Sequence, residues 1–155
     1  MPQVSAAIEP ELRLPPAFTP VRLRERGDAF AHAVSIAAKE GAGTLVHVGR
    51  FDLAEFALVL EPEEPLVRAR LAFYAGMTAL THALVAYAQP ETLIEISWPD
   101  AVIVNFGLVG GGRLAWPEGV AETEVGDATG ALAVHHSAAA AVVVSLGAGG
   151  PGIGR

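Results

Sequence analysis

Two long stretches of the chain carry apolar residues at helical spacing. The first covers about residues 28–39, where Asp28 is suited to cap the helix N-terminus and Gly41 to end the helix. The second covers about residues 66–88 and is the longest predicted element. Its apolar positions predict one stripe that packs against a sheet: Val67, Leu71, Tyr74, Met77, Thr81, Leu84 and Ala88.

Shorter segments rich in β-branched and apolar residues predict strands around these helices. The strands fall near residues 44–48, 55–60, 92–98, 101–105, 112–116, 131–135 and 139–146. Because strands and helices do not alternate strictly, we expect an α+β fold. Its sheet should be mixed and largely antiparallel, with helices packed mainly on one face.

The chain length fits one domain preceded by a leader. With 155 residues the protein can bury a substantial core. Five prolines in residues 1–20 predict an extended leader, because proline lacks an amide donor and biases the preceding residue to extended geometry. Residues 21–155 are expected to form the domain.

The composition narrows the classes of function and location. The formal net charge is −7 and Lys39 is the only lysine, which argues against a nucleic-acid partner. The absence of cysteine excludes a thiolate nucleophile, disulfides and cysteine-ligated metals. The first residues lack the basic start and apolar core of a signal peptide, and no run of about 18 uncharged apolar residues exists. We therefore expect a cytoplasmic protein with no membrane partner.

The most distinctive chemistry lies between Glu95 and Gly119. This segment holds both tryptophans, a Trp-Pro-Asp turn, three consecutive glycines and one arginine. Glycines let backbone amides approach a ligand closely, although a bulge or a simple turn would use them equally well. The candidate ligand-binding residues are Arg50, Trp98, Asp100, Gly110, Gly111, Gly112 and Arg113.

The histidines predict no metal site. His135 and His136 are neighbours in a predicted strand, and neighbouring strand side chains point to opposite faces of the sheet. His47 and Arg50 lie together at the exit of the first predicted strand. These two residues could face an anionic ligand, or they could form a solvated edge.

Four segments share the order and the motifs of a known family. GDAFAHAVSIAAKEGAGTLVHV is similar to that family's first helix, glycine turn and first strand, and FALVLEPEEPLVRARLAFYAGMTALTHAL to its next strand and long helix. SWPDAVIVNFGLVGGGRL resembles its Lys-Trp-Pro-Asn-Asp and Lys-Val-Gly-Gly-Ile-Leu motifs, and AVVVSLGAGG a later strand. The family is the catalytic domain of biotin protein ligases and the related lipoate ligases and octanoyltransferases. The resemblance implies an α+β fold akin to the cores of class II synthetases.

The resemblance also implies a chemistry. Ligases of this family activate a carboxylate as an acyl-adenylate and then pass the acyl group to a lysine of a carrier domain. If the pocket works as in the family, the expected cofactors are biotin, lipoate or an acyl-adenylate, with ATP. The expected partners are a small acyl ligand and a biotinyl or lipoyl carrier domain.

Several positions depart from the family pattern. The arginine- and glycine-rich loop that covers the adenylate is reduced to Gly49-Arg50, and the lysine before Trp-Pro is Ser97. The Asn-Asp pair is Asp100-Ala101, and the lysine that would meet the substrate carboxylate aligns with Leu108. The resemblance also implies that family members continue beyond the last residue here, so we expect the domain to lack a C-terminal part. Loss of these cations together should abolish ordinary adenylation, since one such contact is worth about 10²–10³ in rate.

Three functions remain open from the sequence. The first is a ligase-fold domain with a degenerate active site, which binds a small acyl ligand or acts as a regulatory or interaction module. The second is an active ligase or acyltransferase in which Arg50 and Arg113 replace the family lysines. The third is a structural subunit that forms a homodimer through an exposed edge strand near residues 101–116.

Overall fold

A mixed sheet lies at the centre of the protein. The computed structural model describes residues 12–50, 53–116 and 140–147. In chain order, the elements in these residues are β1 (Thr19–Leu23), α1 (Ala29–Glu40), β2 (Thr44–Val48), β3 (Leu53–Leu60), α2 (Leu66–Ala69), α3 (Leu71–Tyr87), β4 (Ile94–Ser97), β5 (Ala101–Val104), β6 (Gly107–Ala115) and β7 (Ala140–Gly147). The predicted strand at 131–135 lies outside the described residues.

The described strands form one sheet in the order β1-β2-β3-β7-β6-β5-β4. Strands β1 and β2 are parallel, and every other neighbouring pair is antiparallel. The predicted α+β class with a mixed, largely antiparallel sheet is confirmed. Strands β5 and β6 each have a neighbour on both sides, whereas β1 and β4 lie at the edges. The hypothesis of an exposed edge strand near residues 101–116 is therefore wrong.

The two main helices cover opposite faces of this sheet. Ala57 and Val59 of β3 join a buried cluster with Ala29, Ala33 and Ala37 of α1. Alternate residues of the same strand, Phe56 and Leu60, pack instead against the cluster of Phe73, Met77 and Leu80 from α3. Because successive strand side chains point to opposite faces, α1 and α3 lie on different sides. This placement differs from the expected packing mainly on one face, since β3 is apolar on both faces and each face needs a cover.

Helix α1 begins as its sequence signals indicate. Asp28 Oδ1 accepts a hydrogen bond from the amide of Ala31 at 2.8 Å, and the backbone of Gly41 ends the helix at a φ of 76°. A second carboxylate comes from the sheet, because Glu55 Oε1 accepts from the amide of Ala29 at 2.8 Å. The N-terminus of α1 is thus bonded to two acidic side chains.

The long helix is present, but its buried face is not the predicted stripe. Helices α2 and α3 are separated only by Arg70, whose backbone stays in the right-handed helical region. Met77 is fully buried as expected, whereas Val67 and Leu71 are 56% and 60% exposed. The buried face runs through Leu66, Ala69, Phe73, Met77 and Leu80.

Strand β1 was not expected. Its residues Thr19–Leu23 pair in parallel with β2, so the end of the predicted leader is the edge of the sheet. In the described part of the chain no helix meets the length and hydropathy that a membrane span needs.

Candidate functional site

The glycine run lies inside a strand and not in the hairpin turn. The turn between β5 and β6 consists of Asn105 and Phe106, with φ angles of 47° and 67°. The side-chain oxygen of Asn105 accepts a hydrogen bond from the amide of Leu93 at 3.0 Å, which ties the turn to the start of β4. The turn therefore precedes the glycines, and residues 110–112 belong to β6.

Gly111 allows β6 to approach the Trp-Pro-Asp turn closely. A Cβ atom at this position would lie 2.3 Å from the backbone oxygen of Asp100. The same oxygen accepts a hydrogen bond from the amide of Gly112 at 2.8 Å. The register between β5 and β6 also shifts between Val102 and Ile103, so the run lies next to a bulge.

Trp98 belongs to the α3 side of the sheet. The Trp98–Pro99 peptide bond is cis. The indole stacks on the ring of Tyr74 in α3, with centroids 5.0 Å apart and planes inclined by 10°. The tryptophan is nevertheless 73% exposed, so its other face is open.

Arg113 belongs to the opposite side. Its guanidinium carbon lies 4.7 Å from the centre of the Phe30 ring in α1. Its neighbour Leu114 packs in the α3 cluster, as the alternation along a strand requires. The structure therefore brings Asp100 next to Gly111 and Gly112, but it separates the Trp98 and Arg113 side chains by the sheet.

Arg50 lies farther away, just beyond the end of β2. It lines a groove of about 330 Å³ together with Leu45 and His47. Strands β3 and β7 lie between β2 and β6. At about 4.8 Å per strand spacing, the two strands are roughly 14 Å apart.

The positions of the family's expected cations carry neutral side chains here. Leu108 is 67% exposed at the start of β6.

Ser97 pairs in register with Ala101, and Ala101 pairs with Gly111. Residues directly opposite each other in antiparallel strands project to the same face, so these three form one row across β4, β5 and β6. Arg113, two residues along β6 from Gly111, projects to that same face. We call this surface, defined by Ser97, Ala101, Gly111 and Arg113, the platform.

Several contacts of the site had no signal in the sequence. The partners Tyr74 of Trp98 and Phe30 of Arg113 come from helices distant in sequence. A second cation–π contact joins Arg70 to Trp116, with the guanidinium carbon 4.6 Å from the ring centre. Burial and the neighbouring Arg22 guanidinium lower the pKa of His47.

The described residues contain no group of three or more side chains suited to hold a metal ion. His135 and His136 lie outside the described residues. The candidate site is thus built from an aromatic stack, a close backbone approach and single arginines.

A seven-stranded mixed sheet with a Trp-Pro turn packed on a glycine-rich strand defines the ligase-like α+β class. Residues 14–146 match the biotin/lipoate A/B protein ligase family, and the chain belongs to this family. No curated protein matches the sequence at a significant level.

Solved structures show the same fold. A biotin protein ligase-like protein of unknown function from a Silicibacter species is 25% identical, with a TM-score of 0.74 over 94% of this chain and 58% of that one. The apo biotin protein ligase of Aquifex aeolicus is 15% identical, with a TM-score of 0.55 over 83% of this chain and 50% of that one. A biotin acetyl coenzyme A carboxylase synthetase from Helicobacter pylori, with bound biotinylated ATP, is 7% identical, with a TM-score of 0.50 over 82% of this chain and 59% of that one. The chain thus spans between half and three-fifths of the length of these relatives.

Proposed function

We propose that this protein is a ligase-fold domain that binds a small carboxylic acid at the platform without ordinary adenylation. It then serves as a binding or regulatory module, with Arg113 as the charged contact for the ligand. The location in the cytoplasm is part of the same proposal.

The row of Ser97, Ala101 and Gly111 is the observation that carries this proposal. Two short, uncharged side chains and a glycine stand side by side on adjacent strands, which leaves room for a ligand above the sheet. The backbone of Asp100 lies so close to Gly111 that the row admits no side chain at this position. A platform of this kind can hold an acyl chain by contact with the sheet, but it offers no charge beyond that of Arg113.

The distribution of cations supports binding over activation. Adenylation needs several preorganised cations and amides directed at the phosphate and carboxylate oxygens. Arg113 is the only lysine or arginine between residues 97 and 154. Arg50 follows a strand roughly 14 Å away. The guanidiniums of Arg50 and Arg113 are therefore too far apart to form the cluster of cations that the reaction requires.

Calorimetry with biotin, lipoate, octanoate and the corresponding acyl-adenylates tests the binding half of the proposal. We expect heat with at least one acid and a weaker response in Arg113→Gln. Arg68→Gln, a change at an exposed arginine of α2, serves as the matched control. No heat and no thermal shift with any of these ligands would overturn the proposal.

A turnover assay tests the catalytic half. The protein is incubated with ATP, each acid and a biotinyl or lipoyl carrier domain. We expect neither pyrophosphate release nor a labelled carrier. Labelled carrier that depends on both Arg50 and Arg113 would instead establish the second function, an active ligase that uses the two arginines.

A further inference from the structure

A groove on the α3 side of β2 and β3 lies apart from the platform. Leu45 and His47 of β2 alternate with Val46 and Val48, which belong to the α1 cluster. The Leu45 and His47 side chains therefore point away from α1, whereas Val48 lines the groove from the end of β2. Its remaining apolar lining is provided by the leader and by β3: Leu12, Leu14, Leu53, Ala54 and Phe56. Its volume of about 330 Å³ falls within the range of small-molecule sites.

Two arginines and a histidine meet at the end of β2. Arg22 of β1 pairs in register with His47, so both side chains project to the groove face. A Cβ atom at Gly49 would lie 2.8 Å from Nε of Arg22, so the guanidinium rests directly against the backbone there. Arg50 follows and lines the groove. We call Arg22, His47 and Arg50 the β2-end cluster.

One acidic residue also lines the groove, although its side chain points to the α1 side of the sheet. Glu55 is bonded through Oε1 to the amide of Ala29 at 2.8 Å, so this oxygen serves the N-terminus of α1. The described polar side chains that project to the groove face are thus His47 and the two arginines, in a protein whose formal net charge is −7.

We propose that this groove binds a small anion with an apolar body. The carboxylate or phosphate group lies at the β2-end cluster, because guanidinium groups donate paired hydrogen bonds to such oxygens. The body of the ligand packs against Leu14, Leu45 and Phe56. The site goes beyond the proposed function, because the platform with Gly111 and Arg113 is on the other face of the sheet.

His47 provides an independent reporter of this site. Its pKa is lowered by burial and by Arg22. An anion placed between these groups offsets the repulsion from Arg22, so the pKa of His47 should rise when the ligand binds. A ligand bound at the platform would leave that pKa unchanged.

Three matched probes test the proposal on the full chain. They are 4-butylbenzoate, 4-butylphenyl phosphate and the neutral 4-butylbenzamide. In calorimetry we expect both anions to bind and the amide to bind at least about tenfold more weakly, since hydrogen bonds between charged groups are lost. NMR titration of the imidazole should show the upward shift of the His47 pKa with either anion. The stronger of the two anions identifies the preferred head group.

Equal binding of the amide and the benzoate would overturn the proposal, because the groove would then be only an apolar surface. The absence of heat with all three probes, or an unchanged His47 titration, would overturn it as well. These comparisons need no variant, so they stand even where a substitution prevents folding.

Variants locate the site. Arg22→Gln should weaken both anions about tenfold, and Ala54→Phe, at an exposed position of β3, should fill the groove and abolish binding. Arg68→Gln should leave the affinity unchanged, while thermal unfolding verifies that each variant is folded. A loss of affinity in Arg113→Gln with no loss in Arg22→Gln would assign the anion to the platform and overturn the proposal of a groove site. If acids do not bind at the platform but the anions still bind in the groove, only the proposed function is contradicted.

Discussion

The indole of Trp98 lies parallel to the ring of Tyr74 at a centroid distance of 5.0 Å, which fixes the β4–β5 turn against helix α3. Asp100, two residues later, accepts the hydrogen bond from Gly112. The stack therefore helps to position the β4–β5 turn, whose Asp100 oxygen is bonded to the platform strand β6. Trp98 itself lies on the opposite face of the sheet from the platform.

We expect Trp98 and Tyr74 to be energetically coupled. A double-mutant cycle of Trp98→Ala and Tyr74→Ala should give a coupling free energy of about 0.5–1 kcal/mol, at the low end for aromatic pairs because the tryptophan is exposed. Urea unfolding of the four proteins measures it. Tyr87, in the same helix and 93% exposed, is the control partner, and its cycle with Trp98 should show no coupling. Equal couplings for both tyrosines would contradict a specific stack.

Gly111→Ala should destabilise the protein by about 1–3 kcal/mol, because the added Cβ would overlap a backbone oxygen that cannot move freely. The expected contact is 2.3 Å to Asp100. Gly107→Ala, in the same strand, is the control, since its Cβ would come no closer than 3.4 Å to Val104. We expect the control to unfold at the same urea concentration as the parent, or slightly higher. An unchanged midpoint in Gly111→Ala would show that the strand does not need glycine there.

The elements with local signals were predicted well from the sequence. Asp28 and Gly41 delimit α1 to within a residue, and β2 has the predicted bounds 44–48. The face of the long helix was not predicted, because both Leu71 and Phe73 are apolar and the spacing alone does not decide which of them is buried. The sheet decides it: Phe73 meets the cluster that includes Val102, and Leu71 stays exposed.

The candidate site was predicted only in part for a similar reason. Asp100 and Gly111 are close in sequence, and their contact depends on one hairpin. The separation of Arg113 from Trp98 depends on which helix covers each face of the sheet, since Arg113 meets Phe30 of α1 and Trp98 meets Tyr74 of α3. The distance of Arg50 depends on the insertion of β7 between β3 and β6, which no local pattern reveals.

Phe106→Gly should stabilise the protein by about 0.5–1 kcal/mol. Phe106 has a φ of 67°, where glycine fits without the steric cost of a Cβ, and Asn-Gly is the favoured sequence of such two-residue hairpin turns. The ring is 86% exposed, so little packing is lost. Thermal unfolding should show a higher midpoint. Phe106→Ala retains the Cβ and should show no gain; a gain in both variants would assign the effect to the ring and not to the backbone.

Glu55→Ala should destabilise the protein by about 1–2 kcal/mol, because the fully buried Ala29 would lose the acceptor for its amide. Glu55→Gln keeps an acceptor oxygen and should lose less. The two variants therefore separate the hydrogen bond from the charge, which also interacts with the helix dipole. Urea unfolding measures both. If alanine and glutamine cost the same, the charge and not the hydrogen bond supplies the stability.

The pKa of His47 predicts how stability depends on pH. Burial and Arg22 lower this pKa below the ordinary value of 6.5, so the unfolded chain binds the proton more readily than the folded protein. The free energy of unfolding should therefore fall as the pH is lowered from 7 through 6.5, and this loss should level off below the folded pKa. His47→Gln should reduce the slope of stability against pH in this range. His82→Gln, at an exposed position of α3, should retain the parental slope. Urea unfolding at several pH values between 5 and 7.5 gives the three slopes, and a parental slope in His47→Gln would show that other groups govern the dependence.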